Sequence, residues 1–159
     1  MGTYHKALIC KNGHIITDTI DTQPEKYEKY CSKCGAETIK KCEHCGAFIR
    51  GDYEIPGFVT IGFPPELPKY CHNCGKPYPW TEKSIEAAKE LLMELDSGYG
   101  EDFLNKTVED LISDDPETKV AIVRIKKMLA KASPEIGKLL KDILVGVVSE
   151  GVRKMIWGA

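Results

Sequence analysis

Four closely spaced donor pairs constrain this chain more than anything else in it. They are Cys10-x-x-x-His14, Cys31-x-x-Cys34, Cys42-x-x-Cys45 and Cys71-x-x-Cys74, and they use all seven cysteines. Eight donors are what two tetrahedral zinc ions require, one held by three cysteines and a histidine, the other by four cysteines. One Cys-x-x-Cys alone is a weak signal, but four donor pairs within 65 residues are a strong one. A thioredoxin-like redox motif would need a βαβ setting, which is absent from this sequence.

Glycine follows each Cys-x-x-Cys pair, as Gly35, Gly46 and Gly75. A turn that aims two sulfurs at one ion is tight enough to need positive φ just after the second ligand, and only glycine adopts that without cost. In the first pair the Asn12-Gly13 turn comes one residue early, and the longer imidazole of His14 can reach back to the metal that Cys10 touches. His5, His44 and His72 are expected to be bystanders.

A short repeat indicates which pairs share an ion. The segment KYCSKCG at 29–35 recurs as KYCHNCG at 69–75, so both read as the second half of a unit. Sequential pairing then joins Cys10, His14, Cys31 and Cys34 on one ion and Cys42, Cys45, Cys71 and Cys74 on the other, giving two tandem zinc ribbons. A cross-brace, or a site joining Cys31, Cys34, Cys42 and Cys45, stays open at this level. Strands are expected in HIITDTI (14–20), ETIK (37–40) and GFVTIGF (57–63). In so small a ribbon, Phe48, Tyr53, Phe58, Phe63 and Tyr70 are expected to form the core; the alternative is that they stack bases beside Arg50 and Lys69.

Past Trp80 the cysteines stop and helical periodicity begins, which predicts an α+β chain of a ribbon domain over 1–80 and a helical domain over 81–159. Thr81 predicts a helix over 82–96, and Thr107 a short second one. Asp115-Pro116 and Ser133-Pro134 predict helices over 116–132 and 134–157. The last of these carries a wide apolar stripe from Ile136 to Ile156, which predicts self-association, as a homodimer, through residues 134–157; the alternative is that the ribbons fold back and cover it. Charge is segregated: twelve acids against three lysines over 82–117, nine bases against three acids over 118–159. Bundle helices with solvated faces are the expected cause.

The net charge of −2 gives no overall pull toward nucleic acid or anionic membrane. The N-terminal MGTYHKALIC has no secretory-type apolar run, and the longest apolar stretch lies within ILVGVV, so a cytoplasmic protein without a membrane span is expected.

Taken together, CKNGH, YCSKCG, CEHCG, IRGDYEIPG and YCHNCGKPYPW followed by helices resemble a family of bacterial proteins known only as a domain of unknown function. The resemblance is close over the first eighty residues and looser beyond, and it implies zinc-ribbon knuckles without supplying an activity. Ions saturated by four protein ligands are structural. No HExxH, GxSxG or GxxxxGK[ST] motif occurs, and no catalytic residue or organic cofactor is assigned. Arg50, Asp52 and Glu54 read as a solvated hairpin edge. The expected function is a zinc-stabilised protein-interaction module with two structural Zn2+ ions; nucleic-acid binding is the alternative.

Overall fold

The computed structural model describes residues 2–59, 65–95 and 98–158. Packing divides the chain into two compact units, Met1–Thr81 and Glu82–Ala159.

The first unit opens with two short strands, β1 (Thr3–Lys6) and β2 (Leu8–Cys10), which Ala7 sends to different sheets. β2 pairs antiparallel with β3 (Ile15–Thr17) on one edge and with β4 (Thr38–Ile39) on the other, giving the order β3-β2-β4. As the central strand, β2 is buried along its whole length, with Leu8 opposite Thr17 and Ile9 opposite both Ile15 and Ile39. β1 pairs antiparallel with β5 (Arg50–Glu54), bringing Tyr4 opposite Tyr53 and Lys6 opposite Arg50. This second sheet closes on the first through close backbone contact: the Asp52 N–H donates to the Asp18 carbonyl at 3.0 Å. At Gly51 any Cβ would fall 2.0 Å from that same oxygen, so glycine is required there by space.

The expected strands HIITDTI and ETIK shrink to β3 and β4. In GFVTIGF, residues 57–59 are not strand, and residues 60–63 lie outside the described residues. β1 and β5 were not legible, because TYHK and RGDYE show no apolar alternation and gain their geometry from pairing with each other.

The expectation that the ribbon aromatics form the core is overturned. The core is instead Ala7, Ile9, Ile49, Tyr78 and Trp80 with Cys42 and Cys71, flanked by Ile15, Ile39 and Leu67. Tyr78 stacks on Trp80 at 4.9 Å, and the Trp80 indole N–H donates to the Pro68 carbonyl at 2.7 Å. Tyr53 and Phe58 are 43% and 75% exposed, Phe48 is also exposed, Tyr70 is half-buried, and Phe63 lies outside the described residues. Aliphatic residues on three strands, plus Tyr78 just before the first helix and Trp80 in its first turn, fill the space the aromatics were expected to fill.

Five helices follow. α1 (Pro79–Glu94) begins earlier than expected, so Thr81 lies inside its first turn rather than capping it. Pro79 stands at the first helical position, where its missing N–H is not needed. The expected end at Asp96 lies outside the described residues. α2 (Glu101–Ser113) is a full helix rather than two turns starting at Thr107. Glu101 and Asp102 favour its N-terminal dipole, and Thr107 is mid-helix, its hydroxyl donating to the Phe103 carbonyl at 2.8 Å.

α3 (Pro116–Lys131) starts as expected: Asp115 accepts from the Glu117 N–H at 2.9 Å, and the Thr118 hydroxyl accepts from the Asp115 N–H. The expected helix over 134–157 is two, α4 (Pro134–Val145) and α5 (Glu150–Trp157), each with a serine cap, Ser133 and Ser149. The break at Gly146 changes the fate of the apolar stripe. Leu140, Leu144, Val147, Val148, Val152 and Ile156 are all buried in the helical core with Ala88, Leu92, Val108 and Ile125. One straight helix could not bury them all; folding back at Gly146 does. The premise for self-association through 134–157 is weakened, since most of the stripe is covered within its own unit while Leu139 stays 55% exposed.

Candidate metal centres

Each Cys-x-x-Cys pair sits in the same local turn. The Gly35, Gly46 and Gly75 amides donate to the carbonyls of Cys31, Cys42 and Cys71 at 2.7, 2.9 and 2.9 Å. The Cys31, Cys42 and Cys71 amides in turn donate to the carbonyls of Ala36, Ala47 and Lys76. The three glycines have φ of +77°, +79° and +76°, the left-handed region expected of them. The first pair is built differently: Gly13, at φ +92°, donates to the Cys10 carbonyl, and the Cys10 amide donates to the His14 carbonyl.

These turns bring the eight donors into two groups, Cys10 with His14, Cys31 and Cys34, and Cys42 with Cys45, Cys71 and Cys74, the atoms of each lying within 4.8 Å of one another. This is the sequential grouping; neither the cross-brace nor the central pairing is found. His5, His44 and His72 belong to neither group.

The spacing fits zinc. Four donors around a tetrahedral ion, with Zn–S about 2.3 Å and Zn–N about 2.0 Å, stand about 3.8 Å apart sulfur to sulfur and about 3.5 Å sulfur to nitrogen. In the first group Cys10 Sγ lies 3.7 Å from Cys34 Sγ and 3.4 Å from His14 Nδ1, which is 3.6 Å from Cys31 Sγ. In the second, Cys42 and Cys74 are 3.7 Å apart, and Cys45 and Cys71 3.6 Å. A disulfide would require about 2.05 Å, and all seven cysteines are free. The two groups therefore suit two structural zinc ions.

The charge chemistry points the same way. The Ala36 N–H and then the Asn12 side chain hold the Cys34 thiol down at about 6. Burial raises Cys71, yet the Cys74 and Asn73 amides outweigh it and bring it to about 6. Cys74 is pushed up to about 11: the Lys76 N–H favours its thiolate, but desolvation and the neighbouring sulfurs prevail. Four crowded thiols cannot all ionise without a cation among them, and a dication reverses that conflict.

The sequence did not reveal the outer partners of these sulfurs. Asn12, read only as a turn residue, donates through Nδ2 to Cys34 Sγ at 3.4 Å; the Asn73 amide donates to Cys71 Sγ at 3.4 Å and the His14 amide to Cys10 Sγ at 3.3 Å. Such bonds orient metal ligands and offset thiolate charge. Of these bonds only that of Asn12 comes from a side chain, so Asn12 was the one residue among them whose type could have signalled it.

Over residues 3–156 the chain matches the profile of a family described as an uncharacterized protein conserved in bacteria, DUF2321. The chain belongs to this family. The match runs through the helices as well as the knuckles, so both units are part of what family members share. Neither a curated protein nor a solved structure matches the chain. No helix among the described residues is long and apolar enough to cross a membrane.

Proposed function

We propose that the chain is a zinc-stabilised protein-interaction module. Cys10, His14, Cys31 and Cys34 hold one structural ion and Cys42, Cys45, Cys71 and Cys74 the other. Four protein ligands leave no open position for water or substrate on either ion, so the metal serves to fix the surface around it. The observation that carries this reading is the pair Tyr4 and Tyr53, with ring centroids 4.7 Å apart, both more than 40% exposed on the paired strands β1 and β5. Rigid, exposed rings are strong anchors for a protein partner, because they bury large area at small entropic cost.

Nucleic-acid binding is the second reading, favoured by cations seated on exposed rings. Arg50 lies 4.5 Å from the Tyr4 centroid, and Lys6 and Lys41 lie 3.8 and 4.9 Å from that of Phe48. The protein reading is preferred because Lys6 and Lys41 already cover the Phe48 ring face that a base would need. In addition, the ten bases up to Thr81 are nearly matched by nine acids before any thiolate is counted.

The deciding experiment uses the zinc-loaded chain as bait in extract of its native cell, beside a Tyr4→Ala/Tyr53→Ala variant of equal zinc content. The module reading expects a defined protein retained at moderate salt and lost with the variant; equal retention by both sinks it. Binding to a single-stranded oligonucleotide that falls steeply with salt would establish the second reading instead.

A further inference from the structure

A groove of about 550 Å3 opens in the helical unit where the last turn of α3, the start of α4 and the end of α5 converge. Leu129, Gly137 and Trp157 contribute its apolar floor, and Lys126, Lys138 and Lys141 stand around it. Among the described residues no aspartate or glutamate lines it. Among the described residues none of the three lysines has an ion pair; Lys141 instead sits 5.9 Å from the centroid of the Trp157 ring. The N-terminus of α4, at Ser133 and Pro134, adds its positive dipole end to the same recess.

Gly137 is the second observation. It is the fourth residue of α4, where glycine weakens a helix relative to alanine. Its backbone does not require glycine: it lacks positive φ, and a Cβ would meet only Leu129 Cδ2, at an ordinary 3.9 Å. What its bareness does is leave the floor of the groove open.

We propose that this groove binds an acidic peptide segment of a protein partner, with one aliphatic or aromatic side chain on the floor and carboxylates reaching the three lysines. The proposal rests on the interaction-module reading but uses a surface of its own. Charge complementarity selects the occupant, since three lysines without an ion pair among the described residues stand around an apolar groove that no carboxylate of the described residues lines. A recess favours a protruding side chain over a bilayer, which takes up apolar groups that project outward. Three lysines from two helices beside one apolar patch suit a compact cluster of carboxylates.

The test is fluorescence anisotropy of the zinc-loaded full chain with a labelled synthetic peptide carrying leucine and phenylalanine among glutamates. Two variants are compared, Lys126→Glu/Lys138→Glu/Lys141→Glu and Gly137→Leu, with zinc content and helical circular dichroism confirming their folding. Gly137→Leu fills the groove and leaves every charge in place; should the triple variant fail to fold, Gly137→Leu alone decides. Each variant is expected to weaken binding at least tenfold, and a peptide with lysine in place of glutamate is expected to bind at least tenfold more weakly to the unaltered chain. The proposal is overturned by the absence of saturable binding, or by full binding to Gly137→Leu, which would mean diffuse charge attraction. It is also overturned if a single-stranded oligonucleotide or a phosphatidylserine vesicle binds more tightly than the peptide and is the ligand lost in Gly137→Leu. None of these outcomes bears on the Tyr4/Tyr53 bait experiment, so either reading can fail alone.

Discussion

Of the four histidines, only His14 puts a ring nitrogen among sulfurs. His14→Ala should therefore reduce zinc by up to one equivalent and spare the second centre, while His44→Ala and His72→Ala leave both filled; elemental analysis of the purified variants reads this directly. The histidine was legible because Cys10 had no nearby cysteine partner, yet the use of Nδ1 was not, since it follows from the backbone turn at Gly13. His5 shows the opposite limit. It looked idle in the sequence, but in the fold its Nδ1 meets Asp21 at 3.1 Å and its Nε2 meets Glu54 at 2.8 Å, residues 16 and 49 positions away. The Asp21 bond, opposed by desolvation and helped by Glu54, raises the His5 pKa. A raised histidine stabilises the fold fully below its unfolded value, about 6.5, and the contribution fades as pH rises through the folded value. The stability difference between the unaltered chain and His5→Asn should thus be largest in mild acid and shrink toward pH 8, by urea midpoints at saturating zinc.

Among the elements, helix starts with a polar cap and proline were read correctly at Asp115 and Ser133, because cap and proline are local chemistry. Asp115→Ala should cost about 1 kcal/mol of stability, measured by urea unfolding. Starts without a polar cap were missed: α1 begins at Pro79 and α2 after Gly100, which makes no side-chain cap bond. The division of the last helix was missed for another reason. A single glycine is tolerated within helices, so Gly146 marks a break only because the stripe on either side of it must face one small core. Gly137 makes the contrasting case. Since its backbone is ordinary and its Cβ space free, Gly137→Ala should raise stability by about 0.5–1 kcal/mol, visible as a higher urea midpoint.

For the molecule as a whole, donor spacing and a seven-residue repeat sufficed for the two centres and the α+β plan, because metal ligation is a local constraint repeated four times. The strand order was hidden: β1 and β5 carry no apolar pattern and are defined only by each other. Zinc binding of about 10–16 kcal/mol per site in comparable small domains means that a strong chelator should unfold the ribbon unit. The helical unit, with its own buried core, should keep its circular dichroism signal; loss of both together would show that the two units do not fold independently. The pairing of Tyr4 with Tyr53 across 48 intervening residues also sets an order of events during synthesis. All four donors of the first centre have emerged once Cys34 leaves the ribosome, whereas β1 must wait for residue 54 and the second centre for Cys74. Strand β1 is thus made before the donors of the first centre yet placed after them, and a nascent chain can hold one metal ion while β1 still has no sheet to join.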